Sequence, residues 1–129
     1  YFDLDLGQAN MKRMTKMFEG IAAGHRVKVE LTYDLGYPPT ANHEQEAVFA
    51  RDVASEVTGL DARKQPQVMG SEDFSFYLED KPGAYAWIGN GDSTESAQLH
   101  NPHYNFNDEI LPIGASYFVR LVETALPKN

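Results

Sequence analysis

Four histidines have the widest chemical range of any side chains in this sequence. His25 stands where a helical pattern gives way to an alternating one, and near a helix C-terminus its charge would favour the dipole. His43 follows Asn42 at a helix start, and both histidines read as structural or surface residues. His100 and His103 differ, because they flank Asn101-Pro102 in a loop that follows another polar loop. Binding and catalytic residues concentrate on loops held by a rigid scaffold. Pro102 disfavours a helix at the residue before it, so a helical chelating pair is not the natural arrangement. One histidine as a ligand and the other exposed is more natural. A polar surface loop without chemistry explains the pair as well.

A metal site needs about three or four ligands. Glu72, Asp73, Asp92, Asp108 and Glu109 are the candidate oxygen donors, and none lies at a recognised ligand spacing from His100. The sequence therefore shows no complete metal site. Cysteine is absent, which excludes disulfides, thiolate nucleophiles and Cys-based zinc or iron–sulfur centres. Ser71 lies in Gly70-Ser71-Glu72, which is not a nucleophile elbow. It reads as a helix cap, and the following acids oppose an anion site there. Asn107-Asp108-Glu109 likewise reads as a cap before the last helix. Met11 and Met14 read as core or partner-facing residues.

The elements that must position these residues follow from periodicity. Phe2, Leu4 and Leu6 alternate as in a strand that Gly7 ends. Met11, Met14, Phe18 and Ile21 fall at helical spacing, with Gly24 as the closing glycine. Val27, Val29, Leu31 and Tyr33 alternate again. Leu35-Gly36-Tyr37-Pro38-Pro39-Thr40 forbids regular structure and reads as a linker. Asn42 would cap a helix running to Gly59, and Ser71 a short helix carrying Phe74, Tyr77 and Leu78. Ala84 to Ile88 resembles a buried strand, and residues 89–98 a polar loop. A last helix is expected to begin near Pro112, with Ile113, Tyr117, Leu121 and Val122 continuing its apolar stripe. The order is an α/β or α+β pattern.

The 129 residues have the length of one ordinary domain, and 42% apolar with 23% charged residues is a normal globular balance. No apolar run approaches the ~20 residues needed to span a bilayer. Residues 1–25 lack the basic start and apolar core of a secretory signal, and a cytoplasmic location is expected. Lys and Arg number 11 against 19 Asp and Glu, a net charge of −8 that disfavours nucleic acid as a partner. Tyr1 stands where an initiator methionine would, so the chain reads as cut.

Met69-Gly70-Ser71-Glu72-Asp73-Phe74, then Pro82-Gly83, Leu99-His100-Asn101-Pro102, Phe106-Asn107-Asp108-Glu109 and Pro112-Ile113-Gly114-Ala115 together resemble the C-terminal part of M20 metallopeptidases. The nearest branch is that of hippurate hydrolases, N-acyl-amino-acid amidohydrolases and auxin-conjugate hydrolases. Gly36-Tyr37-Pro38-Pro39-Thr40 resembles that branch's return from its lid domain. The resemblance implies a two-domain fold: a catalytic α/β domain with a dinuclear metal centre, and an inserted α+β lid that often mediates dimers. Residues 1–35 then look like the second half of the lid, 36–42 a linker, and 43–129 the last part of the catalytic domain.

On this resemblance only His100 matches a metal ligand. Gly70, Ser71, Glu72 and Asn101 fall in segments that would contact substrate. The other ligands and the Glu that acts as general base have no counterpart here, so no catalytic residue is expected in this chain. The resemblance implies amide hydrolysis of small N-acyl amino acids or peptides, two divalent ions (Mn, Zn, Co or Ni), homodimerisation through the lid, and no nucleic acid or membrane partner. The chain alone is expected to be inactive without the N-terminal part of the same enzyme. The alternative is a self-contained, non-catalytic α/β binding or dimerisation module.

Overall fold

The computed structural model describes residues 3–91 and 97–127. The helices are α1 (Leu4–His25), α2 (Glu44–Thr58), α3 (Ser75–Asp80) and α4 (Leu111–Ala125), with a 3-10 turn at Asp108–Ile110 before α4. Among the described residues there is no β-strand, and no helix is long and apolar enough to cross a membrane. Two compact units emerge. One joins residues 1–41 with 66–82, the other residues 42–65 with 83–129.

The first unit corrects the reading of its opening residues. Leu4 and Leu6 lie in α1 rather than in a strand, and Gly7 is buried inside the helix. Asp3 explains the change: its side chain accepts the Leu6 N–H at 3.0 Å and caps the helix, with Asp5 in the favourable first turn. A short alternating segment cannot form a strand without a partner, whereas a capped helix satisfies its own backbone. Phe2 lies outside the described residues. The helix also runs past Gly24 to His25. The left-handed cap is Arg26, with φ 55°, whose N–H bonds the Ala22 and Ala23 carbonyls.

Val27 to Tyr33 forms no strand. The Val27 N–H donates to the Ala22 carbonyl at 3.0 Å, and Tyr33 ties the segment back to α1. The Tyr33 hydroxyl donates to the Met11 carbonyl at 2.8 Å and lies 3.0 Å from Thr15 Oγ1. Segment 66–82 docks in the same unit through an edge-on Tyr37–Phe76 ring contact, centroids 5.8 Å apart.

In the second unit α2 packs on α4. Ala50 and Val53 of α2 and Tyr117 of α4 are its buried residues. Gly59 ends α2 in the left-handed region, as its sequence suggests, and Pro112 sits in the first turn of α4. Arg120 joins the two helices, its Nε donating to Glu56 Oε1 at 2.9 Å. The pair is exposed, so solvent and salt screen it.

Asn42 does not cap α2. His43 occupies the cap position, and the Asn42 side chain is taken by Tyr85. Asn42 Nδ2 donates to the Tyr85 carbonyl at 2.9 Å, and the Tyr85 N–H donates to Asn42 Oδ1 at 2.7 Å. Beside it the His43 and Gly83 backbones bond at 3.1 Å, and the Gly83 N–H donates to His43 Nδ1 at 3.2 Å. Residues 84–88 carry no regular secondary structure and none of them is buried, and Trp87 is 61% exposed, so the buried strand expected there is not formed. The far end of this run meets α4. A Cβ on Gly114 would stand 3.3 Å from Ile88 Cδ1, so glycine permits the close approach.

Asn42→Ala removes both bonds to Tyr85 and should lower stability by about 1–2 kcal/mol. The urea midpoint of the second unit's unfolding measures it. An unchanged midpoint would show that Asn42 does not hold segment 83–85.

Candidate functional site

The second unit carries His100. Leu99 and His100 form a turn, and His100 is a non-glycine residue with positive φ, at 65°. Such a conformation is uncommon and costs about 1–3 kcal/mol, so its surroundings must enforce it. Asn101 does so from within. Its N–H donates to the Gln98 carbonyl at 3.2 Å, and its carbonyl accepts the Tyr104 N–H at 2.9 Å. Its side-chain Oδ1 accepts the His103 N–H at 2.9 Å, an Asx turn. Residues 98–104 thus form one internally bonded knot with the His100 ring exposed at its apex.

Downstream, Asn90 Nδ2 donates to the Asn105 carbonyl and Asn90 Oδ1 accepts the Asn107 N–H, both at 2.8 Å. Asn107 Oδ1 in turn accepts the Glu109 N–H at 3.1 Å, the capping role its sequence suggests. The sequence reading placed Asn90 in an undifferentiated polar loop. The available signal was its setting between Gly89 and Gly91, and Gly91 adopts φ 111°.

Gly70, Ser71 and Glu72 belong to the first unit, so the structure does not unite them with His100 and Asn101 in one compact body. Ser71 does not cap α3. That helix starts at Ser75, and its cap position is Phe74, whose side chain does not cap it by a hydrogen bond. The backbone closes the turn instead: the Ser75 N–H donates to the Glu72 carbonyl and the Phe76 N–H to Asp73. Thr40 Oγ1 also reaches the Glu72 carbonyl, at 3.5 Å.

Among the described residues no group of three or more His, Cys, Asp or Glu stands together. Asp92 lies outside the described residues. Asp108 and Glu109 sit in the 3-10 turn, where they face the dipole of the helix start. An exposed imidazole on a rigid turn fits one coordination position of a divalent ion, and His100 offers that single donor.

A sequence model of Peptidase family M20/M25/M40 matches residues 1–124. The chain is 34% identical over 113 residues to a hippurate hydrolase of Campylobacter jejuni, covering 85% of this chain and 28% of that protein. It is 29% identical over 125 residues to an N-acetylcysteine deacetylase of Bacillus subtilis, covering 97% and 32%. Over 83 residues it is 37% identical to an IAA-amino acid hydrolase of Arabidopsis thaliana, ILR1-like 4, covering 62% and 19%. The chain thus spans about a third or less of the length of each of these relatives. No solved structure matches it.

The Asp73 carboxyl is held above its ordinary range. The hydrogen bond with Glu72 is the first cause, followed by desolvation and the Glu72 charge, while backbone N–H bonds from Asp73 and Phe74 oppose them. A raised carboxyl stabilises the fold below its unfolded-state pKa, and that contribution is lost as pH rises through the folded-state value. Asp73→Asn cannot ionise. Its urea midpoint should exceed the parent's at neutral pH, and the advantage should vanish below the usual carboxylate range. A pH-independent difference would rule out the shared proton.

Proposed function

The chain belongs to peptidase family M20/M25/M40, and from that premise we propose that it is the C-terminal portion of a metal-dependent amidohydrolase. The bond cleaved is the amide of N-acyl amino acids or similar conjugates. The relatives named as hippurate hydrolase, N-acetylcysteine deacetylase and IAA-amino acid hydrolase support this substrate class. The observation that carries the site is His100, an exposed imidazole on a turn whose backbone is bonded on both sides and strained at its apex.

Residues 1–35 are assigned to the lid, 36–42 to the linker and 43–129 to the catalytic domain, in the α/β plan of the two-domain fold. Segments 27–33 and 84–88 would then be strands that pair with sheet neighbours elsewhere in the protein. Their alternating or apolar residues, exposed at Val27, Val29, Trp87 and Ile88, support this. Phe118, Val119 and Val122 of α4 are exposed as well. An apolar helix face of this kind is one that the rest of a catalytic domain would cover. The lid would mediate a homodimer, in a cytoplasmic enzyme.

His100 would hold one of two divalent ions, of Mn, Zn, Co or Ni type. When bound, the ions supply Lewis-acid polarisation of the amide carbonyl and acidify water. Gly70, Ser71, Glu72 and Asn101 would line the substrate. Asn101 can do so only through its remaining groups, because its Oδ1 is committed to the His103 N–H. The general base and the other ligands lie outside this chain, so the 129 residues alone should not turn over substrate.

Titration of zinc or manganese into the isolated chain should show only weak binding, because one imidazole is insufficient. Tight stoichiometric binding in calorimetry would overturn the fragment assignment. In the intact enzyme, His100→Ala should reduce turnover by about 100-fold or more with the circular dichroism unchanged. Activity should also fall in acid, since a protonated imidazole cannot ligate. Unchanged turnover in that variant would remove His100 from the metal site.

A further inference from the structure

We infer that Asn90 is a positioning residue for His100, an assignment that rests on the reading of His100 as a metal ligand. The argument is mechanical. Residues 98–104 are tied to one another by the three bonds of Asn101, so they move as one body. That body is followed directly by Asn105, whose carbonyl accepts from Asn90 Nδ2 at 2.8 Å. Two residues on, the Asn107 N–H donates to Asn90 Oδ1 at 2.8 Å. One half-buried carboxamide therefore grips both sides of Phe106, as a neighbouring strand would.

The grip has firm ground on both sides. Asn90 follows Ile88, which lies against Gly114 of α4. Asn107 caps the 3-10 turn that runs into α4 through its bond to the Glu109 N–H. Asn90 thus fastens the base of the His100 knot to the longest helix of its unit that the knot adjoins in sequence. A ligand held to within a fraction of an ångström needs such support, and groups behind the ligands typically alter metal affinity by about 10–100-fold. Asn90 itself touches neither substrate nor metal in this assignment.

The test compares Asn90→Ala, Asn90→Asp and His100→Ala in the intact enzyme. Metal retention against graded chelator and the Co(II) absorption spectrum are the readouts, with far-UV circular dichroism as the fold control. Asn90→Ala should lower metal affinity about tenfold or more and alter the Co(II) spectrum. Asn90→Asp keeps the acceptor for Asn107 and loses the donor to Asn105, so it should fall between Ala and the parent. Parental metal retention in either Asn90 variant, alongside loss in His100→Ala, overturns the inference and leaves the His100 assignment standing. Parental retention in His100→Ala overturns that assignment. Should Asn90→Ala not fold, Asn90→Asp decides alone. In the 129-residue chain, amide exchange supplies a readout free of metal. Asn90→Ala should accelerate exchange at both Asn107 and Tyr104, and acceleration at Asn107 alone would show that the knot is not carried by Asn90.

Discussion

Backbone hydrogen bonding is the constraint on which the rest of this structure depends. An extended segment must find partners for its N–H and C=O groups, and no neighbouring strand supplies them among the described residues. Side-chain amides do so instead, twice and in the same way. Asn42 exchanges two bonds with the Tyr85 backbone. Asn90 exchanges two with Asn105 and Asn107. A carboxamide has a donor and an acceptor in one plane, as a peptide unit does, so asparagine can stand in for a strand.

The consequence reaches the His100 turn. Asn42 and His43 hold segment 83–85 at one end of the run, and Asn90 leaves its other end to hold Asn105 and Asn107. The turn that bears His100 adds its own bonds through Asn101, and together these sustain an unfavourable backbone conformation at the histidine. Much of the unit's hydrophobic surface remains exposed while this polar scaffold is well bonded. Local geometry at the loop therefore owes more to directional hydrogen bonds than to core packing.

Helices were the most legible feature. The span of α2, its Gly59 terminus, the Pro112 start of α4 and the Asn107 cap all follow from residue types at fixed offsets. Leu4 to Leu6 misled because alternation over six residues competes with a cap, and Asp3 with Asp5 was the stronger signal. Asn42 and Ser71 are both good capping types, but neither caps its helix. Asn42 is held instead by Tyr85, forty-three residues away, and Ser71 stands too far before Ser75, where backbone bonds from residues 75 and 76 close the turn.

Residue order alone made the family resemblance readable, and with it the distinct standing of His100, because motif residues and their order are properties of the linear chain. It also showed that cysteine is absent and that no candidate donor stands at a recognised ligand spacing from His100. Folding in three dimensions settled what holds the loop. Asn90 acquires its role only when residues 105 and 107 come within 2.8 Å of it. Likewise residues 27–33 and 84–88 have the alternation or apolar character of strands but are not strands here. A strand is defined by the partner it bonds, and that partner is not written into the segment itself.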